Sequence, residues 1–244
     1  MTDQIRAELL KIRSTRTTLG LVAGMVALIV LFALLTGLLT KAPHLTTAED
    51  QRGLLDVGSI AGIFSALAGV MLITSEYRHG TIRPTLLFEP RRSRVLAAKA
   101  AAGLLAGIAI GVIGVALGFG IGALALHARG IPFALTTGQA ALLIGGGLAA
   151  VALWGVIGVA VGAILRSQVG TIAGLLAWGL IVDGLLFAFV PSVGRYTPNR
   201  AEDALAGLTT EHLLPAAAGG AVLLVWAAAL TIAGIVATAR RDVT

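Results

Sequence analysis

Cysteine is absent from the 244-residue chain, which excludes disulfides, thiolate metal sites and a cysteine nucleophile. No lysine follows a glycine: Lys11, Lys41 and Lys99 are preceded by Leu10, Thr40 and Ala98. The glycine-lysine-hydroxyl sequence that cradles nucleotide phosphates is therefore missing. The histidines His44, His79, His127 and His212 are scattered without metal-ligand spacing, and neither an H-E-x-x-H pattern nor a glycine-serine-glycine nucleophile elbow occurs. These absences predict a chain with no catalytic site, metal or cofactor of its own.

Charge is scarce as well. Only 12% of residues are charged and 57% are hydrophobic, with a mean hydropathy of +0.94; a soluble domain carries about 25% charged residues. Lipid, not water, is the expected solvent. The excess of 18 basic over 12 acidic residues would suggest nucleic acid in a soluble protein. In a membrane chain the placement of the charges matters more, and no nucleic-acid partner is expected.

What remains is long apolar runs. Six stretches, about Thr18 to Leu39, Val57 to Thr74, Ala100 to Leu126, Ala140 to Leu165, Val169 to Val190 and Ala216 to Ala239, approach or exceed the roughly 20 helical residues that cross about 30 Å of hydrocarbon. They predict an all-α integral membrane protein with six transmembrane helices in a single domain, 1–244. The first run is longer than a signal-peptide core and lacks a small-x-small cleavage site after it, so it is expected to remain as a helix. Thirteen of the 18 basic residues fall in segments on the N-terminal side and five on the other, which predicts both termini in the cytoplasm. Glycine, at 32 residues, supplies close-packing faces: Gly103, Gly107 and Gly111, then Gly114, Gly118 and Gly122, recur at intervals of four. Gly158 and Gly162, and Gly170 and Gly174, repeat that spacing in the fourth and fifth spans.

Residues 1–17 carry Ile5, Leu9 and Ile12 on one helical face, flanked by Arg6, Lys11 and Arg13, with Arg16 following. This is an interfacial amphipathic helix whose basic side chains reach headgroups or a partner, or only set topology. Between the second and third spans, residues 75–99 read S-E-Y-R-H-G-T-I-R-P-T-L-L-F-E-P-R-R-S-R-V-L-A-A-K. Gly80 suits a left-handed stop to the second span, Thr81 can cap a restart, and Pro84 fits the first turn of a short helix bearing Ile82, Leu86 and Leu87 that ends near Pro90. Glu76, alone among basic residues, is expected to pair with Arg13 or Arg16.

The run E-Y-R-x-G-T-I-R, then a short helix and P-R-R-S-R-x-x-x-x-K, resembles the loop of type-2 ATP-binding-cassette permeases, bacterial exporter subunits of the cell (inner) membrane. The resemblance extends over the chain. It implies an N-terminal elbow helix, a cytoplasmic coupling helix and an outer re-entrant element, here 191–215. It also implies a permease dimer, of like or unlike subunits, and a separate P-loop ATPase subunit that binds ATP and Mg. Carried over, Glu76, Tyr77, Arg78, Gly80, Thr81, Ile82, Arg83, Leu86 and Leu87 form the ATPase contact or its support. A loop that only sets topology is the alternative reading.

Asp183 is an acid deep in the fifth span, where charge is costly. It is assigned to the translocation path, to a bond across a dimer with Thr171 or Ser65, or to a structural role in the interior. Trp154, Trp178 and Trp226 are read as packing or interface residues. Segment 191–215 is too short and polar to span, and lies on or dips into the outer leaflet or forms an ordinary loop. Two rival functions stand beside the exporter: a proton-coupled secondary transporter using Asp183, and a non-transporting membrane scaffold.

Overall fold

The computed structural model describes residues 2–14, 16–82, 84, 87 and 91–240, with the side chains of 2, 3 and 12–14 outside the described set. Every regular element among the described residues is helical. Six helical stretches are long and apolar enough to cross a membrane, and the chain is an all-α polytopic membrane protein.

The amphipathic helix α1 (Thr2–Ser14) leads into the first span, α2 (Arg16–Leu39). A short helix, α3 (Ala48–Leu55), precedes the second span, α4 (Gly58–Arg78). The third span, α5 (Arg92–Ala128), has 37 residues and measures about 55 Å at the helical rise, far more than the hydrocarbon core. It begins eight residues before the expected Ala100, which places Lys99 inside the helix rather than in the loop. The fourth span is α6 (Thr137–Leu165), opened by a capping box of Thr136 and Gln139.

The fifth span is composite. Helix α7 (Gln168–Ala177) passes through a π-helical turn, Trp178–Val182, into α8 (Asp183–Phe189). Short helices α9 (Pro191–Gly194) and α10 (Pro198–Leu205) follow, and α11 (Ala216–Arg240) is the sixth span.

Helices α4 and α6 make the most extensive contact, with α5 against both and α11 against α6. Missing side chains allow that approach. A Cβ on Gly158 would collide with the Ala66 carbonyl, and one on Gly69 with the carbonyl of Gly155. The Ser65 hydroxyl donates to the Val151 carbonyl (2.7 Å) in the same seam. All six glycines of the two sets in α5 are buried; a Cβ at Gly103 would lie 2.8 Å from the Gly155 carbonyl oxygen. Gly170 and Gly174 depart from the expectation. Nothing lies within 4 Å of a Cβ on Gly174, and only the neighbouring capping Ser167 approaches Gly170. Helices α2 and α7–α8 stand at the periphery with exposed Leu31, Phe32, Leu35, Leu180, Ile181 and Leu185, a surface suited to hydrocarbon or to another helix.

Segment 191–215 lies at the end away from the elbow and packs α10 onto α11, α6 and α4. Helix α3, too short and polar to span, lies at the same end. Its Gln51 is fully buried and gathers two loops: Nε2 donates to the carbonyls of Leu45 (3.0 Å) and Pro132 (2.9 Å), while Oε1 accepts from the Ala134 amide (2.8 Å).

Candidate functional site: the elbow junction

The C-terminal turns of α4 meet α1, the first turns of α5 and the end of α11. Leu9 of α1 packs with Leu72, Ile73 and Leu96, as expected of the apolar face of this helix; the Ile12 side chain lies outside the described residues. The charges behind this face form a closed ring. Lys99, with no exposed surface, has its Nζ 2.9 Å from Glu8 Oε1, 2.8 Å from Glu76 Oε1 and 2.9 Å from the Leu72 carbonyl. Lys99 thus donates to Glu8 and to the Leu72 carbonyl and forms an ion pair with Glu76. Lys11 Nζ lies 2.7 Å from Glu76 Oε1 and 3.1 Å from Glu8 Oε1. Burial works against the charged form of Lys11, but the hydrogen bonds and charges of Glu76 and Glu8 outweigh it, and its pKa rises.

Among the described side chains, the partners of Glu76 are not the expected arginines. Arg16 is exposed, the Arg13 side chain lies outside the described residues, and the ammoniums of Lys11 and Lys99 take the role. The helical register explains the change: Glu8 and Lys11, three apart, share a face of α1. Lys99, seven residues into α5, is on the face bearing Leu96 and Ala102. Sequence reasoning missed Glu8 and Lys99, although a lysine within V-L-A-A-K-A-A-A-G is itself a signal.

Beyond Glu76, α4 ends at Arg78 and the chain turns at Gly80, whose φ of +69° is the left-handed conformation anticipated for it. Thr81 is exposed, and Ile82, Pro84 and Leu87 are helical. Ile82 is 5% exposed and fills a crevice with Tyr77, Val95 and Leu96, whereas Leu87 is 82% exposed. Arg83 and Leu86 lie outside the described residues. Arg78 turns back along the bundle, its Nη1 donating to Gln168 Oε1 at 3.4 Å. Two arginines secure the end of α11: Arg92 donates to the Thr238 carbonyl (2.7 Å), and Arg166, over the Tyr77 ring, to that of Ala237 (3.2 Å). Cations are favoured there by the helix dipole.

At the far end Asp183 is fully buried, as the sequence suggested. Its neighbour is Arg200 of α10, with Nε 3.3 Å from Oδ2, close enough for an ion pair but not aimed for a hydrogen bond. Thr171 and Ser65 spend their hydroxyls on the carbonyls of Ser167 and Val151. Arg200 also donates to Asp203 Oδ2 (2.8 Å) and covers the Phe187 ring. Trp154 is not packing alone: its Nε1 donates to Glu202 Oε2 (2.7 Å), while Glu202 Oε1 has no partner. Burial, reinforced by Asp203 and Asp56, pushes the Glu202 carboxyl well above its usual value. Asn199 Nδ2 donates to the Gly179 carbonyl within the π turn (3.3 Å), tying α10 to the fifth span.

Fold and junction define a polytopic helical membrane protein in which the N-terminal helix α1 is ion-locked to the second and third spans. No family model and no curated protein sequence matches the chain.

Proposed function

We propose that this chain is the permease subunit of an ATP-binding-cassette exporter in the cell membrane, with both termini cytoplasmic and ATP and Mg bound by a separate P-loop ATPase. The observation that supports this reading is the ring of Glu8, Lys11, Glu76 and Lys99. An ATPase that pushes on a membrane domain needs a stiff lever joined to more than one span. Force applied around Ile82 passes through its crevice to α4 and α5, and the ring binds both to the elbow. Glu76, Tyr77 and Ile82 then brace the contact, and Thr81 and Leu87 face the partner. The sparsely covered α2 and α7–α8 offer apolar faces to a second permease.

Replacing residues 82–88 with a flexible glycine-serine segment should leave membrane insertion intact and abolish co-purification of the P-loop ATPase partner. Unchanged co-purification moves the coupling surface elsewhere. No ATPase on the unaltered chain overturns the exporter reading.

A further inference from the structure

A cleft of about 170 Å³ opens at the elbow end, between α1, the start of α2, the last turns of α4 and the start of α7. Helix α4 gives it a graded wall. Ala68, Met71 and Leu72 are followed by Ser75 and then by Arg78 and His79, at the three- and four-residue spacing that keeps them on one face. Over about 15 Å of helix the wall therefore passes from apolar, at membrane depth, through a hydroxyl to basic groups at the boundary. Thr17, Thr18 and Gln168 complete the polar end.

The charge balance gives the sign of the occupant. Glu8 and Lys11 also line the cleft, but with Glu76 and Lys99 they form the ring, two carboxylates against two ammoniums. Arg78 is the surplus charge. It is exposed, and its hydrogen bond to Gln168 is long at 3.4 Å. A free soluble anion makes no use of the Ala68-Met71-Leu72 wall, and a zwitterionic lipid gains less from the surplus cation. We propose that this cleft binds one anionic glycerophospholipid, its acyl chain along Ala68, Met71 and Leu72 and its phosphate at Arg78. The assignment rests on the membrane fold and needs no ATPase, so it stands or falls apart from the exporter reading.

Native mass spectrometry of the detergent-solubilised protein, titrated with dioleoylphosphatidylglycerol or dioleoylphosphatidylcholine, tests it. Phosphatidylglycerol should bind one-to-one and about tenfold more tightly, the size of effect expected from one or two cations at a lipid headgroup. Arg78→Gln should remove that preference and Arg78→Lys keep it. Gln168→Glu, which sets an acid beside Arg78 without altering α4, should weaken it if Arg78→Gln does not fold. Met71→Trp should weaken both lipids by filling the apolar end, and Arg240→Gln, outside the cleft, should change neither. Equal binding of the two lipids, a preference that survives both Arg78→Gln and Gln168→Glu, or displacement by inorganic phosphate at matched ionic strength would overturn the proposal; the last outcome marks a soluble-anion pocket instead.

Discussion

At the elbow end two buried carboxylates meet two ammoniums, whereas at the far end Asp56, Asp183, Glu202 and Asp203 gather near Arg200, which pairs with two of them. The first arrangement cancels its own charge, so its strength depends on geometry and on how deeply each partner is buried. The second carries an excess of acid, and proton uptake relieves the repulsion. One end is a fixed brace for the elbow and the first turns of α5. The other, which fastens α10 to the fifth span, is expected to respond to pH.

The largest effect is expected at Lys99. Lys99→Met leaves Glu8 and Glu76 buried with only the half-exposed Lys11 between them, and breaking a buried pair from one side costs about 3–5 kcal/mol. The unfolding midpoint of the purified protein should fall accordingly, and adding Glu76→Gln should restore part of it. A midpoint unchanged by Lys99→Met would mean that the ring contributes no stability and that the contrast between the ends is empty.

The next effect belongs to the far end. Burial raises the Asp203 carboxyl from 3.8 to about 6; Arg200 pulls it down, and the charges of Asp56 and Asp183 add to the rise. An acid raised on folding holds its proton more tightly in the folded state. Its contribution is greatest at low pH and is lost as pH climbs through the window from about 4 to about 6, amounting to at most about 3 kcal/mol. Thermal midpoints should therefore fall across that window, and Asp203→Asn should flatten the fall while keeping an acceptor for Arg200. An identical slope in the variant would assign the titration to another group.

The smallest effect is expected at Lys11, whose side chain is 53% exposed. Solvent screens its two ion pairs and Lys99 still serves both carboxylates, so Lys11→Met should cost about 0.2–1 kcal/mol in the same unfolding measurement. A loss equal to that of Lys99→Met would show that burial does not rank the two ammoniums.

Much of the architecture was legible because hydrocarbon demands long apolar helices. All six spans were found, and Ile5 and Leu9 announced the elbow through their spacing. Gly80 announced the turn after α4, since few other residues adopt a positive φ without strain. The boundary of α5 was not legible from hydropathy, because its first turns are polar and basic yet helical. Gln51 and helix α3 were missed for a related reason: a polar residue that satisfies two loops resembles an ordinary loop residue until the loops are brought together.

The sequence alone determined how many helices are long and apolar enough to cross a membrane, that the chain turns at Gly80 after α4, and that the two glycine sets of α5 form a packing face, since these depend on local composition and on periodicities of three and four. Only the tertiary structure decided which charges meet. Pairing depends on how adjacent helices are rotated and offset along their axes, and neither quantity is encoded within one segment. Glu76 therefore found Lys11 and Lys99, and Asp183 found Arg200, seventeen positions along the chain, because α10 folds back onto the fifth span.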